Sequence, residues 1–144
     1  MDPYEIKSKL NDYDKLKKLY KDLLSLSTAS TDSTLFQPKA PITEVLDTLE
    51  IKAFGKSLEV RFKMIIDDGI SLGLISAFLL EKENCQPCES EICTIHFDKL
   101  GNFKSPQTLT AHNMRDENSL LKVVHLILEN LIANEITLPK ELPF

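Results

Sequence analysis

From Leu49 to Phe97 apolar and polar residues alternate with a period of two, a pattern that a half-buried antiparallel sheet satisfies and a helix does not. Leu49, Ile51 and Ala53 alternate with Thr48, Glu50 and Lys52. After a turn at Phe54-Gly55-Lys56, Leu58, Val60, Phe62, Met64 and Ile66 alternate with Glu59, Arg61 and Lys63. Asp67-Asp68-Gly69 has the composition of a tight turn and leads into a third strand, Ile70 to Glu83. There Leu72, Leu74, Phe78 and Leu80 share one face, and Ile75, Ala77 and Leu79 the other. Two apolar faces predict that a helix or a partner covers the back of this strand. A loop at Asn84–Ser90 precedes a fourth strand over 92–98, with Cys93, Ile95 and Phe97 inward and Thr94, His96 and Asp98 outward.

A helix is predicted on each side of the sheet in sequence. From Pro3 to about Leu26, apolar residues recur in steps of three and four, Ile6, Leu10, Tyr13, Leu16, Leu19, Tyr20, Leu23 and Leu24, with Asp2 placed to cap and Pro3 at the first helical position. The C-terminal helix, opened by Asp116 or Asn118, is apolar at Leu120, Leu121, Val123, Val124, Leu126, Ile127, Leu128, Leu131 and Ile132. Only Lys122, His125 and Glu129 form a polar strip, which requires burial on more than one side. The hydroxyl- and proline-rich stretch 27–44 reads as a linker, 104–117 as an irregular surface segment, and Pro139 and Pro143 as part of an extended tail. At 144 residues the chain fits one domain, divided into the helix 1–26, the linker 27–44 and an α+β unit 45–144. The expected fold class is α+β, with an N-terminal helix, a four-stranded antiparallel meander and a C-terminal helix packed on the sheet.

Charge narrows the function. Seventeen basic against twenty-two acidic residues leave a net charge of -5, and the Lys15, Lys17, Lys18 and Lys21 cluster is interleaved with Asp12, Asp14 and Asp22, so no nucleic-acid partner is expected. No apolar run is long enough to span a bilayer and the N-terminus has no export pattern, which predicts no membrane partner. Three cysteines, an odd number, suit a reduced compartment, the cytoplasm or nucleus. The four glycines stand in no phosphate-cradling pattern.

Cys85, Cys88, Cys93 and His96 offer four donors of the kind tetrahedral zinc takes. On an extended strand, however, Cys93 and His96 point to opposite faces and cannot close one site. The Cys85-Gln-Pro-Cys88 pair precedes a strand, not the helix N-terminus that lowers a redox thiol's pKa. His96, His112 and His125 accompany no nucleophile motif. The expectation is therefore a protein that is not an enzyme, with no metal and no cofactor.

The order helix, meander, irregular crossing, helix resembles the ubiquitin-conjugating-enzyme-like superfamily, including its RWD domains. The similarity lies in Cys93-Thr-Ile-His-Phe-Asp-Lys-Leu-Gly-Asn102, Asn118-Ser-Leu-Leu-Lys-Val-Val-His-Leu-Ile-Leu-Glu-Asn-Leu131 and Leu138-Pro139. Active members carry a cysteine shortly after the glycine equivalent to Gly101, where this chain has Asn102-Phe-Lys-Ser-Pro106. The Tyr-Pro-x-x-x-Pro and His-Pro-Asn signatures are also missing. The resemblance thus implies a non-catalytic scaffold module of the sort found in kinetochore and other complexes, bound to another protein chain as a homo- or hetero-dimer. Tyr13, Tyr20, Ile65, Ile75 and Leu79 are the candidate partner-binding residues, with the first helix as a dimerisation surface. The alternative is a small acidic intracellular inhibitor or immunity-type protein that neutralises an enzyme through Asp67, Asp68, Glu81, Glu83, Glu89 and Glu91.

Overall fold

The computed structural model of the chain describes residues 1–25, 36–38, 48–84, 86–104 and 111–135. Helix α1 spans Pro3–Ser25. Its cap is the expected one: Asp2 Oδ1 accepts a hydrogen bond from the Glu5 amide at 2.9 Å, satisfying a donor that the first turn leaves without a helical partner. Strands β1 (Phe36–Pro38), β2 (Leu49–Ala53), β3 (Lys56–Asp67), β4 (Ile70–Glu83), β5 (Gln86–Phe97), β6 (Asn102–Lys104) and β7 (Ala111–Asn113) follow, then helix α2 (Ser119–Glu135). The strands form one antiparallel sheet in chain order, each beside its sequence neighbours.

The α+β class and helix–sheet–helix order are as expected, but among the described residues the sheet has seven strands instead of four. β1 lies within the segment 27–44 expected to be a linker, and its backbone pairs with β2. Strands β6 and β7 lie in or beside the segment expected to be irregular. Three-residue strands are too short to show a period. The expected loop 84–90 is also mostly strand, since Gln86 to Ser90 continue β5 along the overhanging end of β4. Proline, cysteine and glutamate obscure that pairing in the sequence, but an edge strand tolerates proline, and the ladder offered by β4 outweighs composition. A register shift between Ala77 and Phe78 leaves Ile92 as an extra residue, so one alternation does not run through the whole of β5.

Register explains the core. Leu49, Val60, Ala77 and Cys93 form one cross-strand row, and Phe62, Ile75 and Ile95 another. On this face Leu16, Leu19, Tyr20, Leu23 and Leu24 from α1 and Leu120, Val123, Val124, Ile127 and Leu131 from α2 complete a single buried cluster. Both helices therefore cover the same side of the sheet. Gly73 pairs with Phe97 across β4 and β5, and the Phe97 ring fills the space where any other residue would place its Cβ. The Asp68-Gly69 turn has φ of 51° and 78°, the two positive values of a tight hairpin turn.

The other face of β4 is not covered by either helix. Leu74 and Ser76 are buried there between the rows of β3 and β5. Arg61 lies 4.3 Å from the Phe78 ring centroid while donating to Glu59 Oε1 at 2.8 Å and to both Glu89 carboxylate oxygens at 2.8 and 2.7 Å. The Arg61 side chain thus covers Phe78 from the neighbouring strand.

Candidate functional site

Helix α1 outruns the core. The buried positions on α1 begin at Asp12, so the apolar stripe of its first three turns extends past the layer that the helix covers. Ile6 and Leu10 stay exposed, Leu10 at 60%. The far end of the β3–β4 hairpin lies beside those turns, and Met64 and Ile66 continue the inner face of β3 toward them. Together Met1, Ile6, Lys9, Leu10, Tyr13, Met64 and Ile66 line an open groove of about 380 Å³, and Lys9 is the one charged side chain among these described residues. The Tyr13 ring meets Phe62 edge-on at 5.8 Å, joining the groove floor to the core.

Polar contacts fix the two walls to each other. Lys9 Nζ donates to the Gly69 carbonyl at 2.7 Å and to Ser71 Oγ at 3.2 Å. Ser71 Oγ donates to the buried Asp12 carboxylate at 2.8 Å, and Lys99 Nζ reaches its other oxygen at 3.2 Å. The Ser71 hydrogen bond, with Lys99 and Lys9 behind it, holds the Asp12 carboxyl below the usual carboxylate range against the opposing effect of burial. These charge-assisted contacts tie α1 to the β3–β4 and β5–β6 turns. The groove is therefore preformed, which lowers the ordering cost of filling it.

The five residues proposed from sequence do not form one surface. Tyr13 lines the groove. Tyr20, Ile75 and Leu79 are buried in the core and are withheld from any partner of the folded chain. The Tyr20 hydroxyl donates to the Val60 carbonyl at 3.1 Å. Ile65 is half-buried on the opposite face of the hairpin, across from Leu72. Ile6, Leu10, Met64 and Ile66 were missed because periodicity identifies a stripe without showing where its covering layer stops.

A second groove, about 300 Å³, lies between β5 and α2 and is lined by Glu91, Ile92, Cys93, Thr94, Ile95, Leu126 and Asn130. Asn130 Nδ2 donates to the Leu126 carbonyl at 2.8 Å and approaches Cys93 Sγ at 3.5 Å. Burial, reinforced by the charge of Glu91, pushes the Cys93 thiol up to about 11. Cys93 faces inward and His96 outward, while Cys88 is exposed and Cys85 lies outside the described residues. Among the described residues no three His, Cys, Asp or Glu side chains converge. The acidic residues are divided as well: Asp67 and Asp68 precede β4 and Glu81 stands near its end, about 40 Å away along an extended strand. Glu81 and Glu89 are paired with Lys56 and Arg61.

Among the described residues no helix is long and apolar enough to cross a membrane. No family model, curated protein or solved structure matches this chain.

Proposed function

We propose that this chain is a non-catalytic protein-interaction module that holds another protein in the groove between α1 and the β3–β4 hairpin. The observation carrying this reading is the extension of one apolar surface past the core on a helix and a hairpin that Asp12, Lys9 and Ser71 lock together. Contiguous exposed apolar surface of this kind marks interaction sites on soluble domains. From the RWD resemblance the proposal retains the helix–meander–helix order and a role as subunit of a larger cytoplasmic or nuclear complex, a kinetochore assembly being one such setting. The acidic-inhibitor alternative gains no support from carboxylates split between two ends of a strand.

Leu10→Asp and Ile66→Asp test the proposal. Both positions are about half exposed or more, so the variants should melt within a few degrees of the parent chain. In affinity purification from the native cell, each should lose a protein that the parent chain retains in stoichiometric amount. Retention of that protein by both variants would contradict the proposal.

A further inference from the structure

Self-complementarity of α1 identifies an occupant, and we infer that it is a second copy of this chain, docked helix to helix in antiparallel orientation. The inference rests on the interaction reading above and specifies the partner. At 100° per residue, Ile6, Leu10, Tyr13 and Lys17 lie on one stripe of α1, and Lys7 and Asp14 follow its solvent-side border two turns apart. Both border residues are exposed. When two such helices cross about a two-fold axis between Leu10 and Asn11, Lys7 of each lies opposite Asp14 of the other. Ile6 of each is set toward Tyr13 of the other, with the two Leu10 side chains beside the axis.

The distribution of charge along α1 selects the same orientation. Asp2 and Glu5 stand at its start, followed by Lys7 and Lys9, whereas in the second half Lys15, Lys17, Lys18 and Lys21 outnumber Asp14 and Asp22. Antiparallel docking places the acidic start of one helix near the basic half of the other and opposes their dipoles; parallel docking stacks lysine on lysine. Each copy also supplies both parts of the joint, a groove and an apolar helical ridge, as an isologous interface requires. Exposed apolar area on Met1, Ile6, Leu10 and Ile66 is on the order of 500 Å² per copy, enough to form the centre of a patch of about 800 Å² with a polar rim.

Sedimentation equilibrium on the full chain tests the inference through a charge swap. The parent chain should dimerise. Lys7→Glu and Asp14→Lys each create two like-charge contacts and should weaken self-association roughly ten-fold. An equimolar mixture of these two variants should recover the parental affinity, because each variant then faces its complement. Leu10→Asp should be monomeric. A parent chain that remains monomeric at several hundred micromolar, reversals that leave its affinity unchanged, or a mixture that fails to recover would each overturn the second-copy assignment. If the monomer nevertheless binds a different protein that Leu10→Asp loses, the interaction reading stands without the dimer; if Leu10→Asp alters neither association, both fall.

Discussion

Replacing Gly73 with alanine adds one methyl group where the Phe97 ring already lies. Its Cβ would lie 2.1 Å from Phe97 Cζ, 2.4 Å from Cε1 and 2.6 Å from Cε2, where carbon atoms ordinarily stand about 3.5–4.0 Å apart. The ring would have to withdraw by about 1.5 Å. It is fully buried and meets the Phe62 ring at a centroid distance of 6.1 Å, so retreat displaces the aromatic layer beneath α1. Overpacking of this kind costs about 1–3 kcal/mol, whereas the reduced freedom of the unfolded chain returns about 0.4–1 kcal/mol. A net loss of about 1.3 kcal/mol is expected, lowering the melting temperature by roughly 3–5 °C. Urea titration followed by circular dichroism should show a lower midpoint with an unchanged slope. Adding Phe97→Leu to Gly73→Ala should cost less than the sum of the single losses by about 1 kcal/mol or more, because the clash belongs to the pair. A neutral or stabilised Gly73→Ala, or strict additivity, would refute the packing argument.

Asp12→Asn should destabilise the chain by about 1–2 kcal/mol at pH 7 through weakened contacts with Ser71 and Lys99. Because folding lowers the Asp12 pKa, that stability is fully present above the unfolded value of about 3.9 and is lost as pH falls through the folded value, so parent and variant melting curves should converge in acid. Tyr20→Phe should cost about 1 kcal/mol in chemical denaturation by leaving the buried Val60 carbonyl without the hydroxyl that donates to it. In timed alkylation at pH 8 read by peptide mass spectrometry, exposed Cys88 should label readily, and Cys93, buried and titrating near 11, should react at least about a hundred-fold more slowly.

The sequence made the regular elements legible wherever a period ran for several repeats. β3 and β4 each have more than ten residues of uninterrupted pairing with one another, and α1 follows its stripe from Pro3 to Ser25. Short pieces escaped, because β1, β6 and β7 are defined by neighbours and not by any pattern of their own. The extra residue at Ile92 hid the first half of β5. The excess apolar character of β4 and α2 was legible, but its destination was not. Ile75 and Leu79 face the helices, Val124 and Ile127 complete the same cluster, and Arg61 covers Phe78 from the next strand. The surface left uncovered instead belongs to Ile6 and Leu10, whose spacing matches that of Leu16 and Tyr20 in the core. Only the relative lengths of helix and sheet distinguish them, and that comparison requires the fold.

Methyl NMR of the full chain, recorded at rising concentration and with any protein that co-purifies with it, tests most directly whether the groove receives another chain. Shifts and broadening should appear on Met1, Ile6, Leu10, Met64 and Ile66, while Ile75, Leu79 and Val124 in the core and Leu121 and Leu128 on α2 remain unchanged. Perturbation centred on α2 or β5, with the groove methyls unaffected, would contradict the account.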